Sequence, residues 1–316
     1  MTAETQTLTA NRTNAGMSLD AVSIRIPLPG TPRRWVYAAS DLSLDILPGQ
    51  ITAVVGESGC GKSVLALAVM GLLPAGTQTS GSIWFGDLDL LAAAESTLRA
   101  VRGIKLGLIA QSAATHLTPV RTIAATLGET LRFHRLPAGK DDIDGLLDGV
   151  GLPLGTADRY PHELSGGMAQ RVLVAATLAL QPRVLVADEP TSALDPETTD
   201  LVLESLAAHA RSGNAVVLIT HDLVAASRAA SRVAVMYAGR LLEVGPADVV
   251  LQDPVHDYTR ALLAALPHNG FHPPPGVPSS LVDPDPAQCA WHTRIGRPCA
   301  GAPLRSLAGG HLVACS

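Results

Sequence analysis

Runs of alternating, continuous and helically spaced apolar residues follow one another along this 316-residue chain, and each change of period marks an element. Leu19 to Ile26 alternate apolar and polar, the mark of a strand with one buried face, and Pro27 to Arg34, with three prolines and a glycine, reads as a loop. Leu42-Ser43-Leu44-Asp45-Ile46 alternates again and stops at Pro48-Gly49. Ile51-Thr52-Ala53-Val54-Val55 is short, apolar and β-branched, as a strand covered on both faces should be, and the unbroken Val64 to Met70 suits a buried helix. Ser82 to Phe85 predicts a further strand, with a turn at Gly86-Asp87, and Leu106 to Ala110 is an apolar run before Gln111. Val120 to Gly151 is mostly helical, interrupted by Pro137 and Gly139; Met168 to Leu180 predicts a helix stopped by Pro182. Val184-Leu185-Val186-Ala187 and Ala215 to Ile219 predict buried parallel strands, and strands and helices alternate to about Ala247. The pattern is α/β with a parallel core sheet and no repeat of solenoid or propeller length.

The ends differ. Residues 1–17 read as a disordered tail, polar and threonine-rich at the start. Pro267 to Pro286 is proline-rich and aperiodic, a linker or extended wrap, and the following residues, with Cys289, Cys299 and Cys315, read as a small appended unit. A hydrophobic content of 47% supports one large domain plus this appendage. The net charge of −5 gives no global basic field for nucleic acid. No apolar stretch reaches the roughly 18–20 residues that cross a bilayer. Met1 to Asn14 lacks the charged start and apolar centre of a secretory signal, so the expectation is a cytosolic protein that serves any membrane process through partner subunits. Four cysteines, one of them Cys60 in a glycine-rich loop, do not make a disulfide framework.

That loop carries the strongest chemistry. Gly56-Glu57-Ser58-Gly59-Cys60-Gly61-Lys62-Ser63 is a complete G-x-x-x-x-G-K-[ST] phosphate loop between a predicted strand and a predicted helix. Its glycines let backbone N–H groups approach phosphate, Lys62 can reach the β- and γ-phosphate oxygens, and the Ser63 hydroxyl suits Mg²⁺. The apolar run ending in Asp188-Glu189 puts two acids at the carboxyl edge of the sheet, Asp188 as a Mg²⁺ partner and Glu189 as general base for an attacking water. His221 follows another buried strand to the same edge. Leu164-Ser165-Gly166-Gly167-Met168-Ala169-Gln170-Arg171 is a second glycine-rich run, at the start of a helix, whose Ser165 and N–H groups can also bind phosphate oxygens.

In this order, with Gln111 and Ser192-Ala193-Leu194-Asp195, the motifs resemble those of an ATP-binding-cassette (ABC) ATPase. The resemblance implies a phosphate-loop NTPase cassette over residues 18–250. It has a RecA-like parallel core, an antiparallel β subdomain, a helical signature subdomain at about 112–180 and an extension over 251–316. Two cassettes pair head to tail, ATP on one phosphate loop being capped by the other's signature run. The resemblance therefore gives nucleotide contacts to Gly56 through Val64 and to Ser165, Gly166, Gly167, Gln170 and Asp195, which also bridges the cassettes. Gln111 senses Mg²⁺ and the water, and His221 holds the γ-phosphate. An aromatic upstream of the loop stacks on adenine; Trp35 and Tyr37 are the candidates, with Trp35 preferred.

Leu117 to Ile123, Tyr160-Pro161-His162-Glu163 and Asp253-Pro254-Val255-His256-Asp257-Tyr258-Thr259-Arg260-Ala261-Leu262-Leu263 resemble importers of oligopeptides, dipeptides and nickel. This implies a peripheral subunit at the cytoplasmic membrane face, working with a second, related ATPase subunit, two permeases and an external binding protein, without nucleic acid. The subfamily usually ends in a cysteine cluster associated with an iron–sulfur centre, but Ile295 stands where a second cysteine is common. Cys289, Cys299 and Cys315 are one thiolate short of a four-cysteine site; His292 or His311 can complete a zinc or cluster site, and free cysteines are the other reading. A soluble clamp on DNA or ribosomes is the alternative function, but its usual second cassette, coiled coils and basic arms are missing here.

Overall fold

The computed structural model describes residues 16–30, 34–192, 194–297 and 299–315. Most of the expected N-terminal tail, residues 31–33 of the proline-rich loop and Ala193 fall outside them. The first half contains β1 (Met17–Pro27), β2 (Trp35–Ile46), β3 (Ile51–Val55), α1 (Lys62–Val69), β4 (Gln78–Phe85), β5 (Leu88–Asp89), α2 (Glu95–Val101), β6 (Leu106–Ile109), α3 (Ile123–Phe133) and α4 (Lys140–Asp148). There follow α5 (Gly166–Leu178), β7 (Val184–Asp188), α6 (Pro196–Arg211), β8 (Ala215–Thr220), α7 (Leu223–Ala229), β9 (Arg232–Tyr237) and β10 (Arg240–Pro246). The C-terminal part adds α8 (Ala247–Gln252), α9 (Asp257–Ala264), α10 (Ala290–Arg294), β11 (Arg305–Ser306) and β12 (Leu312–Val313). Met17, assigned from sequence to the tail, is instead the buried first residue of β1, because its side chain joins the core with Leu19 and Ile46.

An antiparallel sheet in the order β2-β1-β4-β5 packs beside an eight-stranded sheet in the order β11-β12-β10-β9-β3-β8-β7-β6. Within the larger sheet β9, β3, β8, β7 and β6 run parallel. Its central strands feed two cores by strict alternation. Ile51, Ala53, Leu185, Ala187, Val216 and Leu218 face one core; Val54, Val184, Val186, Val217 and Ile219 face the other. Burial on both faces is why these strands read as continuous apolar runs. The helical region packs on the first core through Ile123, Leu127 and Leu131 of α3, Ile143 and Leu147 of α4, and Val172 and Ala175 of α5. Thr122 starts α3 by accepting the Ala125 N–H at 3.2 Å.

The C-terminal residues are not an appended unit. Tyr237 of β9, Tyr258 of α9 and Trp291 of α10 pack as one ring cluster, with centroids 4.5–5.9 Å apart, inside the first core. β12 extends the main sheet by pairing with β10. The proline-rich segment is an extended wrap: the Tyr37 N–H donates to the Leu281 carbonyl at 2.8 Å and the Asp283 N–H to that of Trp35 at 3.1 Å. Burying these rings against β9 stabilises the extension far more than its few backbone hydrogen bonds do.

Two contacts tie the extension to the loop after β3. The Glu57 N–H donates to the Tyr258 hydroxyl at 3.0 Å, and Arg294 Nη1 pairs with Glu57 Oε2 at 2.6 Å. Arg294 also donates to the carbonyls of Pro274, Pro275 and Gly276, and its side chain is only 3% exposed. Removing Arg294 leaves the carboxylate of Glu57, 20% exposed, without its charged partner and breaks three further bonds to carbonyls. Arg294→Ala should therefore lower unfolding free energy by about 3 kcal/mol, with little rescue by Lys, which lacks the planar fork. Urea denaturation checks this; an unchanged midpoint would show that the pair is dispensable.

Candidate nucleotide site

β3 delivers the phosphate loop from the middle of the sheet, between β8 and β9. Two of its glycines are required by close approach. A Cβ on Gly56, at φ 155°, would lie 2.1 Å from the Met236 carbonyl oxygen, and one on Gly61, at φ 110°, 2.0 Å from that of Ala38. No side chain fits either place. The loop is thus pressed between β9 and β2 and opens directly into α1, whose N-terminus faces the same space. Lys62 is buried and its Nζ donates back to the carbonyls of Gly56 and Glu57 at 2.8 and 3.0 Å, which holds the ammonium over the loop. Burial, opposed by Lys62, raises the pKa of the Cys60 thiol.

The parallel register brings the other groups to this edge. Asp188 is opposite Ile219, and Val55 is opposite Thr220, so the ends of β3, β7 and β8 are level. Glu189, buried, takes a left-handed backbone with φ 50°, which an unbranched acid rarely adopts. Its Oε1 accepts both the His221 backbone N–H at 3.1 Å and a hydrogen bond with His221 Nδ1 at 2.8 Å. Asp188 is buried with Oδ1 lacking any partner, and the Ser63 hydroxyl bonds to the same carboxyl. Burial first, then the nearby Glu189, raises the Asp188 pKa against Ser63 and Lys62. An unpartnered buried carboxylate oxygen beside a serine hydroxyl fits a hard, oxygen-seeking cation such as Mg²⁺. Ser58, Gly59, Gly61, Lys62, Ser63, Val64, Gln111 and Glu189 line one cleft.

Three assignments from sequence change. Neither Trp35 nor Tyr37 lines the cleft; Val36, Ala38 and Leu281 of the wrap do. Successive β2 side chains alternate faces, and the Tyr37 ring lies under the Arg25 guanidinium at 5.0 Å. Gln170 is buried and its Nε2 donates to the Ala110 carbonyl at 3.1 Å, tying α5 to the segment that carries Gln111 rather than reaching outward. Of the two histidines offered as metal partners, His311 is held by buried Glu243 at 2.8 Å, whereas His292 Nδ1 lies 2.9 Å from Cys299 Sγ. The sequence pattern gave no role to Arg294, Tyr258 or Leu281. The proline-histidine-tyrosine run was visible as distinctive, but nothing local shows that Tyr258 meets a loop some two hundred positions earlier.

Ser165 and Gly166 are exposed and do not line the cleft. Ser165 caps α5 by accepting the Met168 N–H at 3.2 Å, leaving the first N–H groups of that helix pointing away from its body. Asp195 is exposed too, and the Thr198 N–H and hydroxyl lower the pKa of its carboxyl.

Residues 39–192 match the family model described as ABC transporter. The chain is 39% identical over 273 residues to the dipeptide transport ATP-binding protein of Bacillus subtilis (strain 168), spanning 82% of this chain and 81% of that one. It is 42% identical over 238 residues to the peptidoglycan transport ATP-binding protein of Agrobacterium fabrum, spanning 73% of this chain and 44% of that one. Among solved structures it is similar to a dimeric ATP-binding cassette in a post-hydrolysis state with ADP and inorganic phosphate, with a TM-score of 0.65 and 25% identity over 73% of this chain and 98% of that one. The chain belongs to the ATP-binding subunits of the ABC transporter family and is an ATPase.

Proposed function

We propose that this chain is the ATP-hydrolysing subunit that powers import of peptides through a membrane transporter, at the cytoplasmic face. It works with a second, related ATPase subunit, two permeases and an external binding protein. The names of its relatives refer to dipeptide and peptidoglycan transport, which favours peptides over nickel-type chelates and a transporter over a soluble clamp on DNA or ribosomes. No helix among the described residues is long and apolar enough to cross a membrane, so translocation needs other subunits. We divide the chain into the cassette, starting at Met17, its helical signature region at about 112–180 and the C-terminal extension over 251–316.

One observation carries the reading: the cleft gathers Lys62, Ser63, Gln111 and Glu189, while Ser165 and Gly166 lie exposed outside it. A nucleotide in the cleft is therefore held on one side only until another protomer supplies its signature run. The loop N–H groups and Lys62 bind the phosphates; Asp188 with Ser63 would hold Mg²⁺, which would supply charge neutralisation for the phosphoryl group. Glu189 is fixed by His221 so that its carboxylate meets the attacking water and takes its proton. Val36 and Leu281 offer an aliphatic seat for the base in place of an aromatic one. Closure on ATP and reopening after hydrolysis then drive the permeases.

Glu189→Gln should keep ATP affinity and lower turnover of the assembled transporter by about 10²–10⁴-fold; turnover equal to the native assembly would reject the general-base assignment. Lys62→Ala should raise the nucleotide Kd at least about tenfold, the loss of one charge-assisted phosphate contact. Fluorescent-nucleotide titration reads this, and an unchanged Kd would count against the loop as the binding site. Peptide-loaded binding protein should stimulate hydrolysis by the reconstituted assembly; indifference to it would reject peptide import while leaving the ATPase assignment standing.

A further inference from the structure

A second constellation lies outside the nucleotide cleft. Cys289 caps α10, His292 sits within it, Cys299 follows it, and Cys315 comes just after β12. His256 caps α9 beside them. One ligand atom each from His256, Cys289, His292 and Cys315 lie within 4.8 Å of one another. Cys299 Sγ is 2.9 Å from His292 Nδ1 and in hydrogen-bonding contact with the thiols of Cys289 and Cys315. Thiols alone could be ordinary packing, but the imidazoles could not. His256 is fully buried and its Nε2 has no partner.

Tautomers sort the two histidines. His256 Nδ1 accepts the Tyr258 backbone N–H at 3.0 Å, so a neutral ring carries its hydrogen on Nε2. That nitrogen can donate to a thiolate but has no lone pair for a cation. His292 differs: Nδ1 lies 2.9 Å from Cys299 Sγ, and Nε2 lies 3.8 Å from the Asp257 carboxylate, a negative charge that favours the hydrogen on Nε2 and so a lone pair on Nδ1 toward the sulfurs. A carboxylate behind an imidazole is the usual support for a metal-bound histidine. We propose that Cys289, Cys299, Cys315 and His292 Nδ1 bind one tetrahedral zinc-type cation, with the His256 N–H hydrogen-bonded to a thiolate and Asp257 orienting His292. On binding, three S–H protons leave to solvent as three metal–sulfur bonds form, and His292 ligates as the neutral ring.

The iron–sulfur centre that the sequence resemblance suggested does not fit. There are three cysteines here, not four, and Cys299 Sγ is already in hydrogen-bonding contact with the other two thiols and 2.9 Å from His292 Nδ1, which leaves no room for a cluster between them. Zinc bonds of about 2.3 Å to sulfur and 2.0–2.1 Å to nitrogen place tetrahedral ligand atoms roughly 4 Å apart or less, which suits thiols in hydrogen-bonding contact with one another and with His292 Nδ1. A cluster interposes several irons and sulfides between its ligands and needs a wider cage. The cation joins α10 to the end of the chain and reaches α9 only through His256 and Asp257; α9 and α10 carry Tyr258 and Arg294, which hold Glu57. The inference does not depend on the transport reading.

The test uses the full-length chain purified from zinc-replete cells, with metals measured by mass spectrometry alongside acid-labile sulfide. About one zinc per chain without sulfide is expected, and cobalt exchanged into the site should give the intense visible bands of tetrahedral thiolate coordination. Cys289→Ser and Cys315→Ser should each lose the metal, while His256→Gln should keep it with about 10–100-fold weaker affinity. If the cysteine variants do not fold, a chromophoric chelator titrated against the unmodified chain should release the zinc and lower its thermal midpoint. Stoichiometric iron with sulfide, a metal-free chain that takes up neither zinc nor cobalt, or cysteine variants that retain full zinc would each overturn the proposal.

Discussion

Two backbone carbonyls, those of Met236 and Ala38, set the path of the phosphate loop. Each stands where the Cβ of any residue other than glycine at position 56 or 61 would have to be. This close approach bends the chain sharply out of β3 and into α1. It fixes where the loop N–H groups, Lys62 and Ser63 sit relative to the sheet edge. The rest of the site follows from strand register. Because β3, β7 and β8 end level, Asp188, Glu189 and His221 arrive beside the loop without any long side chain having to reach. The positive φ of Glu189 is local strain that the surrounding sheet over-determines, through its N–H to the Ile219 carbonyl and its carboxylate to His221.

The loop and the sheet edge were legible from sequence because both depend on local pattern. Glycine spacing specifies the turn, and an apolar run followed by Asp188-Glu189 specifies a strand ending in acids. What sequence misassigned depends on facing and distance. Trp35 and Tyr37 were the obvious aromatics, but β2 turns Val36 and Ala38 to the cleft instead. Gln170 belongs to the glycine-rich run from Leu164 to Arg171 yet points back to the Ala110 carbonyl, which it satisfies from the buried side of α5. The extension looked detachable because proline-rich composition hides its burial. Tyr258 and Trp291 reveal themselves as core only once β9 brings Tyr237 against both.

That extension changes how the site should be understood. The residue after Gly56 is gripped by groups from the far end of the chain, Tyr258 at its amide and Arg294 at its side chain. The same wrap contributes Leu281 to the cleft. The candidate nucleotide cleft and the packing of the C-terminal part therefore share residues. The contacts that connect the two are few and contiguous.

The central claim is that nucleotide occupies the cleft at the ends of β3, β7 and β8 and is completed by a second protomer's signature run. Hydrogen exchange of the assembled transporter, with hydrolysis blocked and Mg-ATP added, tests this most directly. The account predicts slowed amides across 57–63 together with 165–168, although the two stretches lie on different parts of one chain. Protection of the loop with no change at 165–168, or protection of neither, would contradict it.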